Sequence, residues 1–234
     1  MPLRQHVCYR NQKAIATAPE EKAPGRKQQD VSRQAGSRFV PENCPVSGKQ
    51  AGKMWNAGAG PTNNKEEHRM ETISLSSAAV LTSPNPLALV CTRKPDGSSN
   101  LAAVSWWTYL SFHPCMIAFT MSKKSFTGET VRNTGKVVLA IPGEAIASAV
   151  MGCGSCSGRD TDKAAKFGIM LQELPDTDIP VPVHSRVAIA CCLKEYHEVG
   201  DHYLYICDVV QVYGNESEKA VFAWNGYREI RTAE

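Results

Sequence analysis

KPDGSSNLAAVSWWTYLSFHPCMIAFTMSKKSFTGETVRN, residues 94–133, is the stretch whose reading decides the fold. It opens with a turn, in which Pro95 precedes Asp96-Gly97 and the glycine supplies the φ > 0 position of a hairpin. The run before it, Leu87 to Thr92, reads as a strand, and Asn100 to Trp107 returns as its partner. Ala102 and Ala103 keep that second strand narrow, which suits tight sheet packing or the approach of a flat ligand to the backbone. Ser111 to Pro114 marks a corner, and Cys115 to Met121 is a fully apolar strand. Ser125 to Gly135 then reads as a helix, with Ser125 or Thr127 as N-cap and Gly135 past its end.

Outward from that stretch the pattern continues in short β runs. Lys136–Pro142 is a strand and Gly143–Gly152 a short helix. A glycine-rich entry follows, leading to an amphipathic helix opened by Asp160. Pro175–Val183 reads as an extended, proline-marked connection. Arg186–Val199 and His202–Gly214 are long β-rich runs separated by Gly200-Asp201, the strongest hairpin signal in the chain. Ala220–Ile230 reads as a final strand or a docked edge. Many hairpin-linked strands with short helices make the fold mainly β, an antiparallel closed or partly open barrel and not a βαβ sheet.

The charge is unevenly spread. Residues 1–69 carry 12 Lys/Arg against 6 Asp/Glu, and the remainder 14 against 17, so the formal +3 joins two unlike parts. Residues 1–69 are rich in Gln, Gly, Ala, Pro, Lys and Arg and hold no period of 2 or 3.6. Such a segment buries too little apolar surface to offset its ordering entropy, so a disordered basic tail is expected, followed by a folded domain over residues 70–234. The folded part has no basic stripe with interleaved aromatics, which argues against nucleic acid. No window reaches the ~18 apolar residues of a membrane span. Nine cysteines without framework spacing suit reduced thiols in a cytoplasm, and the acid-free start up to Glu20 leaves organellar targeting open.

Three clusters carry chemistry. Ser122-Lys123-Lys124-Ser125-Phe126-Thr127 joins a strand end, hydroxyls, lysines and a helix start, which is what a phosphate needs; a plain cap with surface lysines is the bland alternative. Ser157-Gly158-Arg159-Asp160-Thr161-Asp162-Lys163 opens a second helix and adds a guanidinium able to grip phosphate in two places, or merely a surface Arg–Asp pair. Val104-Ser105-Trp106-Trp107-Thr108 offers flat apolar neighbours and hydroxyl donors, or two tryptophans split between core and surface.

These motifs in order resemble the flavin reductase-like family, the FMN-binding split barrel of flavoredoxins and short-chain flavin reductases. The resemblance runs from about Ser83 to Tyr213 and includes Asn-x-Ala-x-Val-Ser-Trp-x-Thr, Ser-x-x-Ser-Phe-Thr, Cys-Gly-x-x-Ser-Gly-Arg-Asp-x-Asp-Lys and Gly-Asp-His. It implies a homodimer with non-covalent FMN, reduced by NADH or NADPH. A non-catalytic FMN carrier serving protein partners is the alternative, and a split-barrel module without flavin a third. It implies that Val104, Ser105, Trp106, Trp107 and Thr108 line the flavin ring. Ser122, Lys124, Ser125 and Thr127 would hold the phosphate end, with Ser157, Arg159 and Lys163 completing it. His202 would sit near the reacting face, although it is also a plain turn-flanking residue. The spacing departs from the family at Lys163, so Lys166 competes for its role, and Cys156 replaces a bulky apolar residue.

Cys153-Gly-Ser-Cys156 has no second ligand pair for zinc and no βαβ context for thioredoxin-like chemistry, so no metal is expected. If a helix starts just after it, one of these thiols would be acidified by the helix N-terminus.

Overall fold

The computed structural model describes residues 70–233, and the expected tail over residues 1–69 lies outside them. After a capped helix α1, Leu75–Leu81, the chain runs β1 Ala88–Arg93, β2 Ser99–Val104, β3 Trp107–Phe112 and β4 Cys115–Ser122. Next come α2 Phe126–Thr134, β5 Lys136–Pro142, a 3₁₀ turn Glu144–Ile146, α3 Ala147–Ser155 and α4 Lys163–Lys166. The chain closes with β6 Leu171–Leu174, β7 Thr177–Pro182, β8 Ser185–Val199, β9 His202–Gly214, β10 Val221–Trp224 and β11 Glu229–Thr232.

Seven strands form one sheet in the order β2-β1-β5-β8-β9-β4-β3, with every neighbour antiparallel. The sheet curls until β2 and β4, far apart in that order, touch. The β1–β2 turn has Gly97 at φ 84°, and the β8–β9 turn has Gly200 at φ 55°, a backbone region that β-carbon-bearing residues avoid. Antiparallel hairpins closed into a split barrel are thus what the short β runs build.

Strand side chains alternate between faces, and in the central strands β1 and β5 both faces are buried. In β1, Leu89 and Cys91 enter one core while Ala88 and Val90 enter the other. Val138 and Ala140 of β5 face the first core, and Val137 and Leu139 the second. The second core is the barrel interior, filled by Ile117, Phe119, Met121, Ile189 and Tyr205 and closed by Val131 from α2. The first is covered by Val150 and Cys153 of α3, Ile179 and Val181 of β7, and Val221 and Ala223 of β10. Burying each large aliphatic or aromatic side chain is worth ~1.5–3 kcal/mol, so a sheet covered on both sides holds its shape firmly.

The structure amends several local expectations. The strand after Asn100 is interrupted at Ser105–Trp106, and Trp107 starts β3 instead of ending β2. The glycine-rich entry is helical, because α3 continues through Gly152 and Gly154. No side chain would fit at Gly152, where the Phe167 ring packs against the backbone. The next helix starts at Lys163 with Asp162, and not Asp160, as N-cap, its side chain accepting from the Ala165 N–H at 3.1 Å. Pro175–Val183 is no mere connection, since β7 pairs with β6. The last run is a hairpin, β10 with β11. Among the described residues no helix is long and apolar enough to cross a membrane.

Candidate ligand cleft

β4 ends at Ser122, and after Lys123 and Lys124 the N-cap Ser125 turns the chain into α2. Ser125 sits at φ −68°, ψ 122°, so its hydroxyl oxygen swings round to accept from the Gly128 N–H at 3.1 Å. That caps one of the four N–H groups which a helix start leaves without intrahelical partners. The Phe126 and Thr127 amides have no acceptor among the described residues. At the other end, Gly135 closes the helix in the left-handed region at φ 69°. This start, with its positive dipole end, forms one wall of a cleft of about 650 Å³ lined by Ser122, Lys124, Ser125 and Thr127.

The facing wall is the segment after α3. Ser157 lines it, its hydroxyl accepting from the Arg159 N–H at 3.1 Å. Lys163 lines it too, although only 3% exposed, with Nζ donating to the Cys153 carbonyl at 2.6 Å. Burial pushes the Lys163 pKa below the usual lysine range, opposed by the nearby Cys156 and Cys153 thiols. No carboxylate lies within ion-pair distance of this amine among the described residues. A buried cation without a carboxylate favours an anionic ligand. Lys166 instead lies over the Phe167 ring at 5.5 Å, so of these two lysines it is Lys163 that lines the cleft.

The cleft floor is the end of β2, where Ala102, Ala103 and Val104 keep side chains short, followed by Ser105. At the mouth, Trp106 is 56% exposed and its ring lies 5.1 Å from that of His202. His202 opens β9 opposite Ser122, and its Nδ1 lies 2.8 Å from Asp201 Oδ1. That hydrogen bond holds the Asp201 carboxyl below the usual carboxylate range. Thus Val104, Ser105, Trp106 and His202 meet both hydroxyl-bearing walls in one cleft.

Trp107, Thr108 and Arg159 lie outside its lining. Strand alternation sends Trp107 toward the barrel interior, edge-on to Tyr109 at 5.3 Å. Thr108 is exposed and its hydroxyl donates to the Tyr109 carbonyl at 3.1 Å. The Arg159 guanidinium pairs with Glu129 at 2.7 Å and lies 4.8 Å over the Phe126 ring.

The thiols are placed differently from expectation. Cys153 is fully buried in the last turn of α3, at the negative end of the helix dipole, and burial pushes its thiol up to about 11. The expected acidifying helix start beside it does not exist, since Cys156 is the C-cap of α3. Cys156 lines the cleft, half-buried. Two residues, one of them the asparagine that opens the Asn-x-Ala motif, were given no site role from the sequence. Asn100, in β2, and the Thr120 hydroxyl, at the cleft wall, are buried polar groups that each leave an oxygen without a partner. Asparagine inside a strand, where it is depleted, was the available signal for the first.

Comparison with known proteins agrees with this architecture. The flavin reductase like domain family matches residues 80–231. An uncharacterised Escherichia coli K12 protein, YddH, is 30% identical over 114 residues, spanning 48% of this chain and 60% of that relative. A flavin reductase of Pseudomonas putida is 25% identical over 144 residues, 61% of this chain and 81% of its own length. Flavoredoxin of Desulfovibrio vulgaris superposes with a TM-score of 0.61 at 23% identity, covering 70% of this chain and 94% of its own. The last likeness fixes the fold, a split barrel. With a family match over well more than half its length, the chain belongs to the flavin reductase-like family.

Proposed function

We propose that the cleft binds FMN without a covalent link and that the protein reduces it at the expense of NADH or NADPH. One observation carries this reading. An uncapped pair of helix amides with Ser122, Ser125 and Thr127 faces Ser157 and the buried Lys163, above a small-residue strand end. A cleft of about 650 Å³ lies within the ~300–1,000 Å³ of ligand pockets. The residues present fit the group: amides, hydroxyls and a buried cation suit its phosphate, and Ala102, Ala103 and Val104 leave room for a flat ring. When bound, FMN supplies the hydride-accepting chemistry. The chain's task is positioning. Hydroxyls and amides fix the phosphate, Lys163 offsets its charge, and Trp106 with His202 shields the mouth from water.

A homodimer belongs to the same proposal. β3 is an edge strand beside the cleft, and Tyr109, Leu110 and Phe112 stand exposed on it, Phe112 by 72%. An open, apolar sheet edge is a surface that proteins cover, and a second copy of this chain is the occupant we propose.

The test is direct. Purified full-length protein mixed with FMN and passed over a desalting column should retain visible flavin absorbance, and should then oxidise NADH or NADPH with multiple turnovers. Retained flavin with a single reduction and no turnover favours a carrier that hands electrons to a protein partner. No retained flavin overturns both readings in favour of a split-barrel module without flavin.

A further inference from the structure

We infer that Asn100 is a positioning residue for the anion end of the cleft, acting on Thr127 and on the backbone at Gly158. The inference rests on the flavin reading above and deepens it. Asn100 is only 1% exposed. Its side-chain Nδ2 donates to Thr127 Oγ1 at 2.7 Å, and more weakly to Thr92 Oγ1 at 3.4 Å. Its Oδ1 is buried and meets no hydrogen-bond partner. Leaving a buried acceptor unpaired is unfavourable, so the arrangement calls for an explanation.

A hydroxyl carries one hydrogen and two lone pairs. Thr127 Oγ1 accepts from the Asn100 amide, so its own hydrogen is left to donate elsewhere, and Thr127 lines the cleft. The amide therefore fixes the polarity of that hydroxyl as a donor, which is the polarity an anion requires. With the amide reversed, its oxygen would face Thr127 and draw the hydroxyl hydrogen away from the cleft. The orphan oxygen then has a location that matters: a β-carbon on Gly158 would overlap it. The Ser157–Lys163 wall can approach only as bare backbone at this point. One buried amide thus holds the helix-start wall and leaves room for the facing wall.

Asn100→Asp is nearly isosteric but presents only acceptors, so Thr127 would have to donate to it. The experiment measures Kd for FMN and for riboflavin, which lacks the phosphate, by flavin fluorescence with wild type and variant. Thermal melting runs alongside. FMN should weaken at least tenfold more than riboflavin. Equal weakening of both flavins means a merely structural role and overturns the inference. A buried aspartate can prevent folding, so the hydroxyl is tested from its own end. Thr127→Val should reproduce the selective loss and Thr127→Ser should restore it; FMN affinity unchanged in Thr127→Val overturns the inference. In the Thr127→Val background, Asn100→Asp should add little. A full tenfold further loss there points to simple charge repulsion and counts against the proposal. The two readings separate cleanly. Wild type that takes up neither flavin overturns the proposed function and this inference with it. Wild type that prefers FMN, beside an Asn100→Asp variant keeping that preference, overturns this inference alone.

Discussion

Gly128, in the first turn of α2, packs so closely on the Tyr205 hydroxyl that a β-carbon could not enter between them. Tyr205 cannot yield. It is fully buried, stacked on Phe119 at 5.0 Å, and its hydroxyl accepts from Arg132 further along the same helix. Burial raises its pKa, with Arg132 opposing, so it stays a neutral phenol that accepts. α2 is therefore seated on the barrel at two points, and its N-terminal amides are aimed by that seating.

Gly128→Ala should accordingly lower stability, although alanine is the better helix former by ~1 kcal/mol. Overpacking of this kind costs ~1–3 kcal/mol. Adding Tyr205→Phe, which removes the obstructing oxygen, should recover part of the loss. Melting temperatures of the two single variants and the double variant decide it; a Gly128→Ala protein as stable as wild type would show that α2 shifts freely.

Much of this placement was readable from the chain. The Asp96-Gly97 and Gly200-Asp201 hairpins, the Ser125 cap and the Gly135 stop are local signals, and local signals survive folding. What was hidden depends on partners distant in sequence. Gly152 reads as a helix end until Phe167 is seen packed against it and the helix is seen to run on to Ser155. Arg159 reads as a phosphate ligand from its neighbours in sequence, while its pairing with Glu129 of α2 shows only in the folded chain. Asn100 has no periodic signature at all, and its meaning lies in Thr127 and Gly158.

Lys163→Met should raise the FMN Kd roughly 10–100-fold, since a hydrogen bond to a charged group is worth ~1.5–3 kcal/mol. Riboflavin binding should change far less. Equal effects on the two flavins would assign Lys163 to the fold alone.

The same lysine sets a pH dependence. Burial lowers its pKa, so the amine loses its proton at a lower pH than an exposed lysine, whereas a phosphate keeps its charge above its second pKa of ~6. Only the protonated amine attracts phosphate. FMN affinity should therefore fall as pH rises through the lowered Lys163 pKa, and riboflavin affinity should not follow it. Binding titrations across the alkaline range would show this, and Lys163→Met should flatten the difference between the two flavins.

Alkylation of the native protein should mark Cys115 and Cys156 well before Cys91, Cys153, Cys191 and Cys207. The first two are exposed or half-buried, and the other four are buried, with Cys153 and Cys207 also pushed up to about 11 and about 12 by burial. Thiolate is the reacting form. Peptide mass spectrometry at short times reads the order directly. A Cys153→Ala, Cys156→Ser variant should keep NAD(P)H oxidation within tenfold of wild type at matched flavin occupancy, about 1.4 kcal/mol of barrier. A greater loss would mean that the pair takes part in electron flow.

Leu110→Glu with Phe112→Asp should convert a dimer to monomers if the β3 edge is the self-association face. Sedimentation velocity measures it, and an unchanged mass would remove β3 from the interface.

β1 and β5 run through the middle of the sheet with cores on both sides, so both their inward and their outward side chains are enclosed. Such strands have no neutral address at which a substitution can wander. Substitutions are then absorbed farther out, on α1 and on the exposed side chains of the β3 rim, which lie outside both cores. The rim abuts the cleft mouth through Trp106. Divergence in what approaches the cleft can therefore accumulate without disturbing the barrel beneath it.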